Sequence, residues 1–272
     1  MTLTFYLCSH RPEYLNSRFE KLFNEAGIII VEQASNDMTT KIENSYRKLS
    51  IGKTNPDIFY YPRYRDFNIK LESYLYGSRK EIFIERSPFD YSETHEYDFL
   101  IDKFLFEFFF GKPEEAYKTC SKYYNHEAIK SKERDTKLVD LITSIVKRYL
   151  EDDILVLRGA LHTYPCHKLN GQMIFPYEPY IFPLSSEIIR RHYFGKEVDN
   201  EMIVTSIPET ILRRYYILKG FSHRDSILKS RRIVERLELK DIDRLSLKLS
   251  KTHRSSYISL IEALRNDFGI EV

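Results

Sequence analysis

His10, Glu32, Glu85, Arg158 and His162 each end, or closely follow, a short apolar run: "LTFYLCSH" (3–10), "IIIVE" (28–32), "EIFIE" (81–85) and "ILVLRGALH" (154–162). Such runs read as strands buried on both faces, near 3–9, 28–32, 81–85 and 154–158. If the strands are parallel neighbours, these ionisable side chains meet along one carboxyl edge, where open α/β sheets bind their ligands. Two imidazoles and a carboxylate, His10, His162 and Glu32, could hold a divalent metal there. A second carboxylate, Glu85, could then act as general base on a bound water. Arg158 could stabilise an anion or hold a carboxylate. Taken singly, each residue has a plainer account as a cap, a packing residue or a solvated charge. The signal is their common position.

The elements that must position them follow from periodicity. Leu15, Phe19, Leu22, Phe23 and Ala26 recur at spacings of three and four, giving a helix over 14–26 with Gly27 as its C′ residue. Strand, helix and strand over 3–32 form a β-α-β unit, and the right-handed crossover makes its strands parallel. Helices are expected near 38–49 and 67–77, and the aromatic, basic stretch "IFYYPRYRDF" (58–67) reads as a packing surface. Residues 97–150 are helical. Within them "FLIDKFLFEFFFG" (99–111) reads as a strongly buried helix, Pro113 opens another, and 134–153 is amphipathic. Four prolines in 164–187 mark an ordered loop or hinge. Helices follow over 185–197, capped at Ser185, and 206–221, opened by Ser206 and Pro208, with Gly195 and Gly220 near their ends. The fold class is α/β: a central, largely parallel sheet flanked by helices, with a C-terminal helical extension.

The order of these motifs resembles the TraB/GumN/TIKI group, whose wider superfamily includes ChaN-like and erythromycin-esterase-like proteins. The pattern of that group is a strand with GxxH, a strand ending in Glu, a second such strand, an Arg-Asn/Asp pair opening a helix, and a further strand with a second GxxH. The matching residues are His10, Glu32 in "IIIVEQ", Glu85 in "RKEIFIERSP", Arg134 and Asp135 in "ERDTKLVDLI", and Gly159 and His162 in "LRGALH". The second GxxH is complete, whereas Leu7 stands where the first would have its glycine. The resemblance spans roughly residues 1–175. It implies an α/β core and, for the TIKI-like branch, metal-dependent peptide-bond hydrolysis. Other branches hydrolyse esters or have no settled activity, so the expectation is a hydrolase acting on a peptide or ester bond. Its site would have His10, Glu32 and His162 on one divalent ion (Mn, Co or Zn), and Glu85, Arg134 and Arg158 in catalysis. No other cofactor is implied.

Composition limits the rest. With 42 Lys+Arg against 40 Asp+Glu, net charge argues neither for nor against nucleic acid. No apolar run approaches the ~20 residues of a membrane helix, so no membrane partner is expected. Cys8, Cys120 and Cys166 lack CxxC spacing and the first residues lack a signal-peptide pattern, which points to reduced thiols and a cytoplasmic location. The expected organisation is a core over 1–175 and a basic, mostly helical region over 176–272 packed on it. That region supplies surface for a homo-oligomer through its helices, or a pocket lid. Acids such as Glu235, Glu238, Asp241 and Asp243 among its basic residues disfavour nucleic acid. The competing reading is a non-catalytic binding protein, or a nuclease, that uses the same scaffold with the basic surface toward nucleic acid or an acidic partner. The expected substrate is a small molecule or peptide.

Overall fold

The computed structural model describes residues 1–32, 39–53, 65–85, 91–252 and 257–272, with backbone only at 39 and 91–98. Most of the aromatic stretch at 58–67, and Pro88, lie outside the described residues. In chain order the elements are β1 (Leu3–Leu7), α1 (Ser17–Glu25), β2 (Ile28–Val31), α2 (Thr39–Ser50), α3 (Arg65–Leu75), β3 (Glu81–Ile84), α4 (Tyr91–Phe109) and α5 (Pro113–Arg148). There follow β4 (Ile154–Arg158), α6 (Tyr164–Lys168), β5 (Gln172–Ile174), α7 (Leu184–Tyr193), α8 (Asn200–Leu218), α9 (His223–Val234), α10 (Leu239–Leu249) and α11 (Tyr257–Phe268).

The strands form one parallel sheet in the order β3-β2-β4-β1-β5, as the α/β expectation requires. Register aligns the carboxyl ends: Val31 faces Ile84 and Leu157, and Leu7 faces Arg158. The ladder runs one residue further, with Glu32 N–H bonded to the Leu157 carbonyl, Glu85 N–H to Val31 and Cys8 N–H to Arg158. β1 connects leftward to β2, while β4 connects rightward past β1 to β5. β2 also connects leftward, to β3, so the connections diverge between the neighbours β2 and β4, a switch point of the kind at which α/β sheets bind ligands. His10 follows β1 and His162 follows β4.

One face of the sheet carries Tyr6, Ile29, Ile82 and Leu155, packed in a single apolar core with Phe19 of α1, Tyr46 of α2 and Phe67 of α3. The other face meets the C-terminal half of α5, where Phe83 contacts Tyr149 and Arg158 contacts Asp135.

Four local expectations are corrected. α5 is one helix of 36 residues, about 54 Å long, and not separate segments. The polar stretch joining its apolar stripes, "HEAIKSKER", consists mainly of good helix formers without Gly or Pro. The stretch 164–187 is more than a loop, since it holds α6 and the edge strand β5. Pro208 lies inside α8, which begins at Asn200 with Asp199 accepting from Glu201 N–H. Its missing N–H costs one backbone bond, while Ser206 and Thr210 hydroxyls bond the carbonyls of Ile203 and Ser206. Nor does Ser185 cap α7. The Glu209 carboxylate of α8 accepts from Leu184 N–H at that end at 2.8 Å. Gly195 and Gly220 do take the left-handed conformation after their helices (φ 64° and 86°).

The chain divides into two compact units, 1–93 with 131–180, and 94–130 with 181–272. One boundary between these units lies at 180/181, and α5 contributes to both. Among the described residues no helix is long and apolar enough to cross a membrane.

Gly171 offers a direct test of packing beside β1. A Cβ there would lie 2.6 Å from the Phe5 ring and 3.2 Å from the Leu3 carbonyl. Gly171→Ala is expected to cost about 1–3 kcal/mol through overpacking, read as a lowered urea midpoint at unchanged slope.

Candidate active site

All six residues singled out in the sequence come together beyond the carboxyl edge in the first unit, and Asp135 joins them. β2 and β3 end directly at Glu32 and Glu85, so the neighbouring registers place the two carboxylates side by side. Arg158 is the last residue of β4 and is fully buried. Its Nη2 donates to Glu85 Oε1 at 2.8 Å and its Nη1 stands 2.6 Å from Asp135 Oδ1. Arg134, one residue before Asp135 on α5, pairs through Nη2 with Glu32 Oε1, and its Nε lies 3.6 Å from Glu85 Oε1.

The turn "RGALH" brings His162 back over the sheet edge, with its N–H bonded to the Gly159 carbonyl. Gly159 is needed for space and not for an unusual φ. A Cβ there would lie 3.0 Å from Glu32 Oε2 and 3.3 Å from His162 Cδ2, and the Gly159 N–H itself donates to Glu32 Oε2. His162 Nδ1 is 2.8 Å from Asp135 Oδ1, and Nε2 points toward Glu32 Oε1 at 3.6 Å. His10 Nε2 approaches Glu32 Oε2 at 3.4 Å, and its ring packs edge-on against Phe67 at 5.2 Å.

Burial orders the group. Arg158, Asp135 and Glu85 form its floor, Glu32 and His162 the middle, and His10 and Arg134, with side chains 23% and 18% exposed, the mouth. Desolvation by burial raises the Glu32 carboxyl, but the Arg134 guanidinium, then His162, His10 and Arg158, outweigh it and hold it well below the usual carboxylate range. Glu32 is therefore ionised at neutral pH. Because its folded pKa lies below its unfolded value of about 4.3, its contribution to stability is present above that pH and is lost as pH falls through the folded value. The stability difference between the protein and Glu32→Gln should shrink between pH 6 and about 3, as urea titrations at several pH values would read.

The divalent ion that the family resemblance implies would need free donor atoms on His10, Glu32 and His162. Both Glu32 oxygens are engaged, one by Arg134 and the other by the Gly159 N–H. A cation between the two Nε2 atoms would face the Arg134 guanidinium. Among the described residues no group of three or more His, Cys, Asp or Glu side chains is arranged to hold a metal ion. The residues present do not fit a resident divalent ion.

Asp135 is the member with the least direct signal in the sequence. It stands three, seven and ten residues before Leu138, Ile142 and Ile145, on the buried stripe of α5, and a carboxylate in such a stripe needs a charged partner. Tyr180, whose hydroxyl lies 3.3 Å from Ser9 Oγ next to His10, was hidden in the proline-rich stretch. Cys166 and His167 lie apart from this role: Cys166 Sγ donates to the Gly171 carbonyl at 3.0 Å, and His167 is exposed on α6. Comparison of the chain with protein-family models, curated proteins and solved structures finds no match.

Proposed function

We propose that the chain is a hydrolase that cleaves an ester or peptide bond at this site by general acid–base chemistry. The observation that carries the reading is the convergence of His10, Glu32 and His162, with Asp135 behind His162. Asp135 accepts the Nδ1 proton of His162 and so leaves Nε2 as the base, facing the middle of the site. His162 takes a proton from a water as the water oxygen bonds to the substrate carbonyl carbon. The resulting oxyanion is stabilised by Arg134, the guanidinium at the mouth. His10 gives a proton to the leaving oxygen or nitrogen as the scissile bond breaks. Ionised Glu32 stabilises whichever imidazole is protonated. Arg158 and Glu85 hold the floor in place and act through their neighbours, so Glu85 is a positioning residue here and not the base.

A panel of activated esters and short peptides tests the reading. Turnover that falls at least about 100-fold in both His162→Gln and Glu32→Gln is the expected result. The absence of turnover across the panel, or turnover indifferent to both substitutions, would overturn it in favour of a binding role for the scaffold. Dialysis against a chelator, followed by addition of Mn, Co or Zn, is expected to leave the rate unchanged. A rate restored only by metal would return the ion to the site.

A further inference from the structure

Residues 99–111 have the composition of a helix buried on all sides, yet over these residues the helix is covered on one face only. Phe104, Leu105 and Phe108 are buried, whereas Phe99, Phe106 and Phe110 are 64%, 57% and 49% exposed. On a helix, Phe106 lies about 20° to one side of Phe99 and Phe110 about 20° to the other, so the three form one stripe. The Phe110 N–H bonds the Phe106 carbonyl, which carries the helical turn past the end of α4, and the two rings stack at 4.1 Å. Exposed apolar residues scattered singly need no account, but three phenylalanines in line do.

Two opposite charges flank the stripe at nearly one height. Asp102 lies about 60° to one side and Lys103 about 40° to the other, with side chains 77% and 47% exposed. Their contacts within the chain are loose, Asp102 to Arg214 at 4.0 Å and Lys103 to Glu107 at 3.9 Å, and exposed pairs of this kind contribute little.

We propose that the Phe99–Phe106–Phe110 face of α4 is a dimerisation surface that takes a second copy of this chain, with the two α4 helices parallel and in register. A two-fold axis along the stripe sets each phenylalanine against its own counterpart. It also carries the Asp102 flank of one copy onto the Lys103 flank of the other, so that the opposite charges meet twice. An antiparallel pairing centred on the same residues would instead bring Asp102 to Asp102 and Lys103 to Lys103. The charges therefore select the direction, and α4, at 19 residues and about 28 Å, is long enough for such a seam. The stripe shares no residue with the site at the sheet edge, so the proposal does not rest on the hydrolase reading.

Sedimentation equilibrium of the full chain from about 1 μM to about 100 μM is the test. The expected result is a monomer–dimer equilibrium that is lost in Phe106→Glu and in the milder Phe106→Ser, with circular dichroism and thermal midpoint showing both variants folded. Asp102→Lys and Lys103→Asp should each associate about tenfold more weakly. The chain carrying both changes should regain association, and an equal mixture of the two single variants should form a mixed dimer. A protein monomeric across that range, as it would be if another protein or a lipid surface covered the stripe, overturns the proposal. So does a dimer indifferent to the Phe106 variants, or one whose charge variants behave like the unaltered chain.

Discussion

Asp135→Asn is expected to lower turnover by about 100-fold with the fold retained. Asp135 Oδ1 is shared between His162 Nδ1 at 2.8 Å and Arg158 Nη1 at 2.6 Å. An asparagine that keeps its amide oxygen at the Oδ1 position still accepts from both groups, so His162 keeps its tautomer, but the side chain is neutral. It no longer stabilises the imidazolium that forms as Nε2 takes a proton from water, and this loss of charge slows the proton transfer. The measurement is kcat/KM on whichever ester or peptide the wild-type protein turns over, with a thermal melt of the same samples. Activity within about tenfold of wild type would remove His162 from the role of base. If Asp135→Asn fails to fold, His162→Gln removes the base itself while leaving the Asp135–Arg158 pair intact, and should show a comparable loss.

Much of the sheet was legible because its strands are short apolar runs, each ended by a charge. Leu3, Ile28, Glu81 and Ile154 begin four strands that fall within one or two residues of the expected limits. β5 was not legible: three residues, one of them Gln172, carry too little pattern, and its strand character comes from pairing with β1. The α7 cap came from Glu209, far along the chain, so Ser185 looked like a cap that the tertiary structure did not need. At the site, strand-end positions were enough to gather His10, Glu32, Glu85, Arg158 and His162. Their chemistry was less legible than their location. Histidine and glutamate together suggested a metal because spacing cannot reveal that Arg134 occupies one Glu32 oxygen and a backbone N–H the other. The buried apolar surface assigned to 99–111 failed for a related reason: composition gives the apolar area of a helix but not how many of its sides are covered.

Arg158→Met should cost about 3–5 kcal/mol, a large share of the stability of an ordinary domain. Arg158 is fully buried at the end of β4, and its guanidinium is the cation common to Glu85 and Asp135, both nearly or wholly buried. A methionine fills much of the same volume but leaves two carboxylates beneath the sheet edge without their shared counter-charge, and it is this uncompensated charge that destabilises, more than any lost attraction. Arg158→Lys should recover little, because a single ammonium lacks the planar fork that reaches Glu85 through Nη2 and Asp135 through Nη1. The decisive comparison is Arg158→Met combined with Glu85→Gln and Asp135→Asn. With both negative charges removed, most of the lost stability should return, so that the three changes are far from additive. Urea denaturation at neutral pH reads all four proteins on one scale. Under about 1 kcal/mol lost in Arg158→Met, or no recovery in the triple variant, would show that the floor of the site is held by packing and not by charge pairing.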